Sequence, residues 1–256
     1  IAGAVGAGTF QGASAAVGEP VGALVAALAG AEASRIVAGR TGVDIVAVPA
    51  ATIVAGGTAG IFAGPAVAGV MHWLGGMINS ATNLHPIPMG VVLSVVMGLV
   101  LTLPFSSAAL SISLGLSGLA AGASTVGCCC QMIGFAVAGY RENGVGGLIS
   151  QGLGTSMLQM PNIIKNPWIW VPPTAASALL GPLSATVFRM ENNSIGAGMG
   201  TSGLVGQFST MEVMGPSSWP SVLILHFILP GALSLIFSYL LRKAGLIREG
   251  DMKLEN

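Results

Sequence analysis

Charge is what this sequence has least of. Only 7% of its 256 residues are Asp, Glu, Lys or Arg, nine acidic against nine basic, while 53% are hydrophobic. A water-soluble domain carries about a quarter charged residues, so these few cannot coat a soluble globule of this length. A net charge of zero removes the basic footprint that nucleic acid requires, and nucleic acid is not an expected partner. Cysteine is scarce too. Its three copies are consecutive, Cys128, Cys129 and Cys130, inside an apolar run. That spacing does not readily supply a tetrahedral zinc site, and the three read as small buried apolar residues. No Walker loop, zinc signature or nucleophile–base arrangement appears, so the sequence predicts no catalytic residue, metal or cofactor. Nor is a secretory signal visible. The chain begins at Ile1 with no basic segment before an apolar one, and it reads as a fragment or processed chain that has lost earlier spans.

What is abundant is apolar length and glycine. The charges fall in clusters at Arg35, Arg40 and Asp44, at Arg141 and Glu142, at Lys165, at Arg189 and Glu191, and from Arg242 to Glu255. Between them run stretches long enough to cross a bilayer, which takes about 20 helical residues. A barrel would need alternating segments of about ten residues, but residues 91–103 and 221–241 are apolar throughout. The 39 glycines point to helices in close contact and to backbone breaks. The expected fold is all-α: a polytopic integral membrane protein with about six to eight membrane segments, some of them broken or re-entrant Gly-rich hairpins. Residues 1–241 form one integral domain, and residues 242–256 a cytoplasmic tail.

Helices are predicted over 21–38, with Pro20 at the start and Glu32 able to pair with Arg35, and over 89–103, closed by Pro104. The stretch 44–63 is apolar but interrupted by Pro49 and Gly56-Gly57, and 65–78 reads as amphipathic or interfacial. Residues 107–138 make one and a half spans, with Gly122 and Gly127 as breaks. Two further spans cover 168–187, with Trp168 and Trp170 as an interfacial belt, and 219–241. Arg242 and Lys243, directly after the last span, place the C-terminus in the cytoplasm by the positive-inside rule. The expected location is the cytoplasmic membrane.

The most informative pattern is a recurrence. Gly154-Thr155-Ser156 lies within residues 150–162, and Gly200-Thr201-Ser202 within residues 196–207. A fainter echo, Gly8-Thr9-Phe10-Gln11-Gly12, lies near the start. Paired short Gly-interrupted segments are the sequence signature of a transporter's binding site. An opened helix frees backbone groups that lipid cannot satisfy. Thr155, Gln159, Asn162, Thr201 and Gln207 offer neutral donors and acceptors that suit a small polar solute such as a carbohydrate. The same composition also fits close helix packing, with Ser and Thr bonded to nearby backbone, and both readings stay open here.

Glu19 stands before Pro20 with no basic neighbour. At bilayer depth it must face the interior and becomes a proton-linked or hydroxyl-binding carboxylate; at the interface it is a helix-start anion. Glu212 poses the same choice. His85 reads as a solvated loop residue. His72 and His226 read as core or interfacial residues rather than ligands.

The run from Pro20 to Pro49, PVGALVAALAGAEASRIVAGRTGVDIVAVP, resembles a span and cytoplasmic loop of fructose-type phosphotransferase-system IIC permeases. The blocks at 153–173 and 196–207 are similar to IIC-like proteins, a group that includes perfringolysin-regulator-type membrane proteins. The resemblance implies a homodimeric permease domain in the lipid bilayer, binding a sugar partly through re-entrant hairpins, with separate IIA and IIB phosphocarrier proteins as partners. Sugar-transporting relatives carry a Glu-Gly-Ala-Ile-Pro-like motif ahead of Asp-Pro. This chain has Met157-Leu-Gln-Met-Pro161 and Asn166-Pro167, and it lacks their His-Gly-Gly near 198–203. Gln159 cannot act as a base. The alternative is a IIC-like transporter, exporter or membrane sensor-regulator not coupled to phosphorylation.

Overall fold

The computed structural model describes residues 20–40, 44–82 and 84–254. Among these every regular element is helical, apart from one isolated bridge between Gly118 and Asn192. The all-α expectation holds. The chain divides into two compact units, Ile1–Gly76 and Met77–Asn256.

In the first unit α1 (Pro20–Val37) ends with Arg35 bonded to Glu32 at 2.9 Å. Gly39 takes a positive φ of 75° and donates its N–H to Asp44 at 2.7 Å. Asp44 opens α2 (Asp44–Thr82), where a carboxylate suits the helix dipole. Gly30 lets α1 meet α2 closely, since a Cβ there would lie 2.8 Å from the Thr52 carbonyl. The sequence suggested interruptions at Pro49 and Gly56-Gly57 and a separate interfacial piece at 65–78. Instead α2 runs unbroken for 39 residues, into the second unit. A membrane explains this, because lipid offers nothing to replace the hydrogen bonds that a break would open.

The second unit contains α3 (Pro86–Thr102), α4 (Ser107–Ser113), α5 (Gly118–Ala138), α6 (Tyr140–Ile149), α7 (Met160–Lys165), α8 (Val171–Leu183), α9 (Ser194–Ala197), α10 (Val205–Met214), α11 (Trp219–Leu223) and α12 (Leu229–Lys243). Pro167–Phe188, containing α8, and Pro216–Lys243, containing α11 and α12, are each long and apolar enough to cross a membrane, as are α5 and Asp44–Phe62. Proline opens both later spans, its missing N–H being an orphan at N1 in any helix. The span of α5 is 89% buried, against 39% for Pro216–Lys243, so α5 is the central post and the last span faces outward.

Small residues set the helix contacts. Along one face of α3, Gly90, Ser94 and Gly98 recur every fourth residue. Gly90 meets the backbone of Gly181 on α8, and Gly98 that of Gly127 on α5. Ser94 donates to the Ser177 carbonyl at 2.7 Å, and Ser177 to that of Gly127 at 3.3 Å. The expected breaks at Gly122 and Gly127 are therefore contact points inside a continuous α5. Their Cβ positions would fall 1.9 Å from the carbonyls of Met190 and Ser94. The chain breaks earlier, after α4, where Gly115 turns at φ 60°.

Beyond α12 the tail folds back. Ile247 and Met252 are buried with Phe135, Ala138, Ile163 and Ile169. The tail is thus part of the packed body of this unit.

Candidate functional site

Two broken hairpins dominate the second unit. In the first, α6 loosens into a π-turn at Ser150–Gly154. Thr155 is extended, and a 3-10 turn at Ser156–Gln159 leads into α7. In the second, Asn193 caps α9 by accepting from the N–H groups of Ile195 and Gly196. Gly200, Gly203 and Leu204 then take positive φ before α10 begins. The non-glycine among them, Leu204, marks local strain at this tip.

The two Gly-Thr-Ser tips meet. Thr201 donates its hydroxyl to the Gly152 carbonyl at 2.5 Å, and Ser202 to that of Gly154 at 3.0 Å. On the first tip, Thr155 accepts from the Met157 N–H, and Ser156 shares a 2.9 Å bond with Thr102 of α3. Buried Gln131 ties this corner together, accepting from Trp170 at 3.1 Å and donating to Thr174 at 3.1 Å.

Carbonyls opened in the second hairpin are also taken up by protein. Those of Ser194 and Gly198 accept from Ser111 and Ser107 of α4, those of Gly196 and Ala197 from Thr125 and Ser124 of α5. Asn192, 1% exposed, bonds Thr125, Thr210 and the Gly206 carbonyl. Thr201→Val keeps the shape of the tip but leaves the Gly152 carbonyl without its donor. A loss of about 1–3 kcal/mol is expected, read as a lower thermal midpoint in detergent.

One pair is not saturated in this way. Gln207 of α10 lies 3.1 Å from His226 Nδ1 and 3.5 Å from Cys129 Sγ of α5. With the Gln207 amide donating, the imidazole accepts at Nδ1 and carries its proton on Nε2. Gln207 Oε1 and His226 Nε2 are buried without a partner among the described residues. Ser184 and Ser234 hydroxyls are unpartnered too, but a hydroxyl turns easily to a nearby carbonyl. An amide oxygen and an imidazole N–H fixed by their other contacts do not. The pair thus leaves one acceptor and one donor unpaired. Sequence reasoning set His226 aside as core. The overlooked signal is Pro230, four residues on. Proline cannot bond the His226 carbonyl, and His226 sits in a π-turn, Ile224–Ile228, a distortion common at functional sites.

The other expected site residues lie elsewhere. Gln159 donates to Gln151 at 2.8 Å and to the Met252 carbonyl at 3.0 Å, and accepts from Asn162. Asn162 also donates to the Lys253 carbonyl at 2.9 Å. Asn166 holds Asp251 and the Leu246 carbonyl. These amides grip the C-terminal tail. Glu19 and the Gly8–Gly12 echo lie outside the described residues. Glu212 accepts from Asn193 at 3.3 Å, and His85 is an exposed residue preceding α3. Among the six expected residues the structure brings Thr155, Thr201 and Gln207 to the hairpin region beside α5, and Gln159 and Asn162 to the tail.

Apolar spans packed with a pair of broken helical hairpins, whose Gly-Thr-Ser tips carry no charge, mark a polytopic membrane protein of transporter type. A family model described as Phosphotransferase system, EIIC matches residues 1–254, and the chain belongs to that family. It is a multi-pass membrane protein and a permease component of the phosphotransferase system. Neither the curated proteins nor the solved structures contain a match.

Proposed function

We propose that this permease component carries a sugar, bound where the second hairpin meets α5 and the tip of the first. Gln207 and His226 make the polar contacts, with Thr201 and Thr155 holding the tips. One observation carries the reading. In a neighbourhood where backbone carbonyls are matched to hydroxyls, Gln207 Oε1 and His226 Nε2 alone among the described residues offer a fixed acceptor and a fixed donor without partners. A sugar hydroxyl is both donor and acceptor and serves both atoms. The span Pro167–Phe188 separates the two hairpins in sequence. In this reading it crosses once, so the hairpins dip in from opposite faces and their tips close the path from either side. Gln159 and Asn162 act by setting the stem of the first hairpin. Glu19 remains a proposed hydroxyl-binding carboxylate. The working unit is a homodimer with a cytoplasmic C-terminus, supplied by separate IIA and IIB phosphocarriers.

The test is uptake of labelled hexoses, pentoses and polyols into proteoliposomes, with and without phosphorylated IIA and IIB proteins. Gln207→Ala and His226→Ala each weaken the half-saturating concentration of the transported sugar about tenfold, the value of one buried hydrogen bond. Unchanged affinity in both variants rejects the site.

A second reading has its own support. Gln159 and Asn166 stand where the resemblance expects carboxylates, and both are bound to the tail. With no acid or base there, the chain transports without phosphorylation. Equal accumulation with and without the phosphocarriers selects this reading over the first.

A further inference from the structure

A groove of about 370 Å³ runs between the C-terminal end of α5, α6 and α12, away from the hairpin tips. Its composition changes along its length. Val137, Leu148 and Leu235 give it an apolar interior; Tyr140, Arg141, Tyr239 and Arg242 give it a polar mouth. On α12 the lining residues Leu235, Ser238, Tyr239 and Arg242 follow the i, i+3, i+4, i+7 rule, so they form one stripe. The stripe leads from the apolar body of the last span to its basic end, Arg242 and Lys243. From Leu235 to Arg242 it climbs roughly 10 Å, at about 1.5 Å per residue. The apolar end therefore faces hydrocarbon, while the basic end sits at headgroup level, where Tyr is also at home.

The charges at the mouth are not equivalent. Arg242 donates to Glu142 at 2.8 Å. The Glu142 side chain is 5% exposed, and its other oxygen accepts from the Met252 N–H. That carboxylate is turned toward the tail and saturated. Arg141 is exposed and has neither an ion pair nor a hydrogen bond among the described residues. The mouth thus presents a free guanidinium flanked by two exposed tyrosines, above an apolar slot open to the membrane. A guanidinium suits a phosphate, and basic pockets between membrane helices bind anionic lipid heads.

We propose that this groove is a binding site for an anionic phospholipid, one acyl chain lying along Val137, Leu148 and Leu235 and the phosphate on Arg141. The site is independent of the sugar site, and its test does not involve transport.

The experiment uses the full chain purified in neutral detergent. Thermal midpoints are followed while phosphatidylglycerol, phosphatidylcholine with the same acyl chains, or inorganic phosphate is titrated in. Phosphatidylglycerol is expected to stabilise at lower concentration than phosphatidylcholine, and inorganic phosphate to have no effect. Arg141→Gln is expected to weaken the phosphatidylglycerol response about five-fold, toward that of phosphatidylcholine. Arg141→Lys retains most of it. Leu235→Trp fills the slot and weakens both lipids. Equal responses to the two lipids in the wild type overturn the proposal. So does an Arg141→Gln protein that keeps its preference, or an inorganic phosphate effect matching that of the lipid.

Discussion

Replacing Gly127 with leucine leaves no folded permease to purify. A Cβ at this position would sit 1.9 Å from the Ser94 carbonyl oxygen and 2.5 Å from two more backbone atoms of Ser94. Backbone cannot swing aside as a long side chain does, so α3 and α5 must part. Parting them also stretches the bonds from Ser94 to the Ser177 carbonyl and from Ser177 to that of Gly127. The contacts of Gly98 with α5, one turn along α3, go with them. Exchanging glycine for alanine in an open helix gains about 1 kcal/mol. Here an overlap at the center of the bundle outweighs that gain, and Gly127→Ala is already expected to lower the thermal midpoint. Gly146→Ala is the control, since a Cβ there meets nothing within 4 Å. Size-exclusion chromatography of detergent extracts reads the outcome. A monodisperse Gly127→Leu peak like that of the wild type refutes the packing argument.

That contact illustrates how far the sequence could be read. Composition was enough for the helical membrane class, because lipid restricts the backbone to structures that satisfy themselves. The last two spans were legible within a few residues, since proline opens each and charge closes the final one. Glycine was harder, because one residue serves opposite ends. At Gly200 it turns the chain with positive φ, while at Gly122 and Gly127 it admits a neighbor to an unbroken helix. Hydropathy cannot tell these apart; the carbonyl facing the glycine can.

At the site, the two Gly-Thr-Ser segments were legible as a pair. That their tips bond each other was not, since nothing in either segment names its partner. The expected loosened carbonyls proved to be claimed by Ser107, Ser111, Ser124 and Thr125. Those residues lie in stretches that read simply as apolar helix. Apart from the Ser184 and Ser234 hydroxyls, the buried polar atoms left over among the described residues belong to Gln207, which was anticipated, and to His226, which was not.

Met252→Asp frees the C-terminal tail, and the first hairpin loosens with it. Met252 is fully buried against Phe135, Ala138, Ile163, Ile169 and Ile247. Truncating such a side chain costs about 2–5 kcal/mol, and a carboxylate without a cation in that pocket costs several more. Losing the tail strips acceptors from Gln159 and Asn162, the Met252 N–H from Glu142, and both tail bonds from Asn143. All four lie on the stem of the first hairpin, so its tip loses its foundation while the Gly152 and Gly154 carbonyls keep their donors. Limited trypsin digestion is expected to cut after Lys243 and Arg248 in Met252→Asp and to spare the wild type. Sugar uptake falls alongside, although Met252 is far along the chain from Gln207 and His226. Met252→Leu, of similar volume, keeps both trypsin resistance and uptake. Were Met252→Asp to resist trypsin as the wild type does, the tail would not owe its place to this pocket. Were it cut while uptake stayed intact, the stem would not govern the tips. The two readouts therefore separate anchoring of the tail from its bearing on transport.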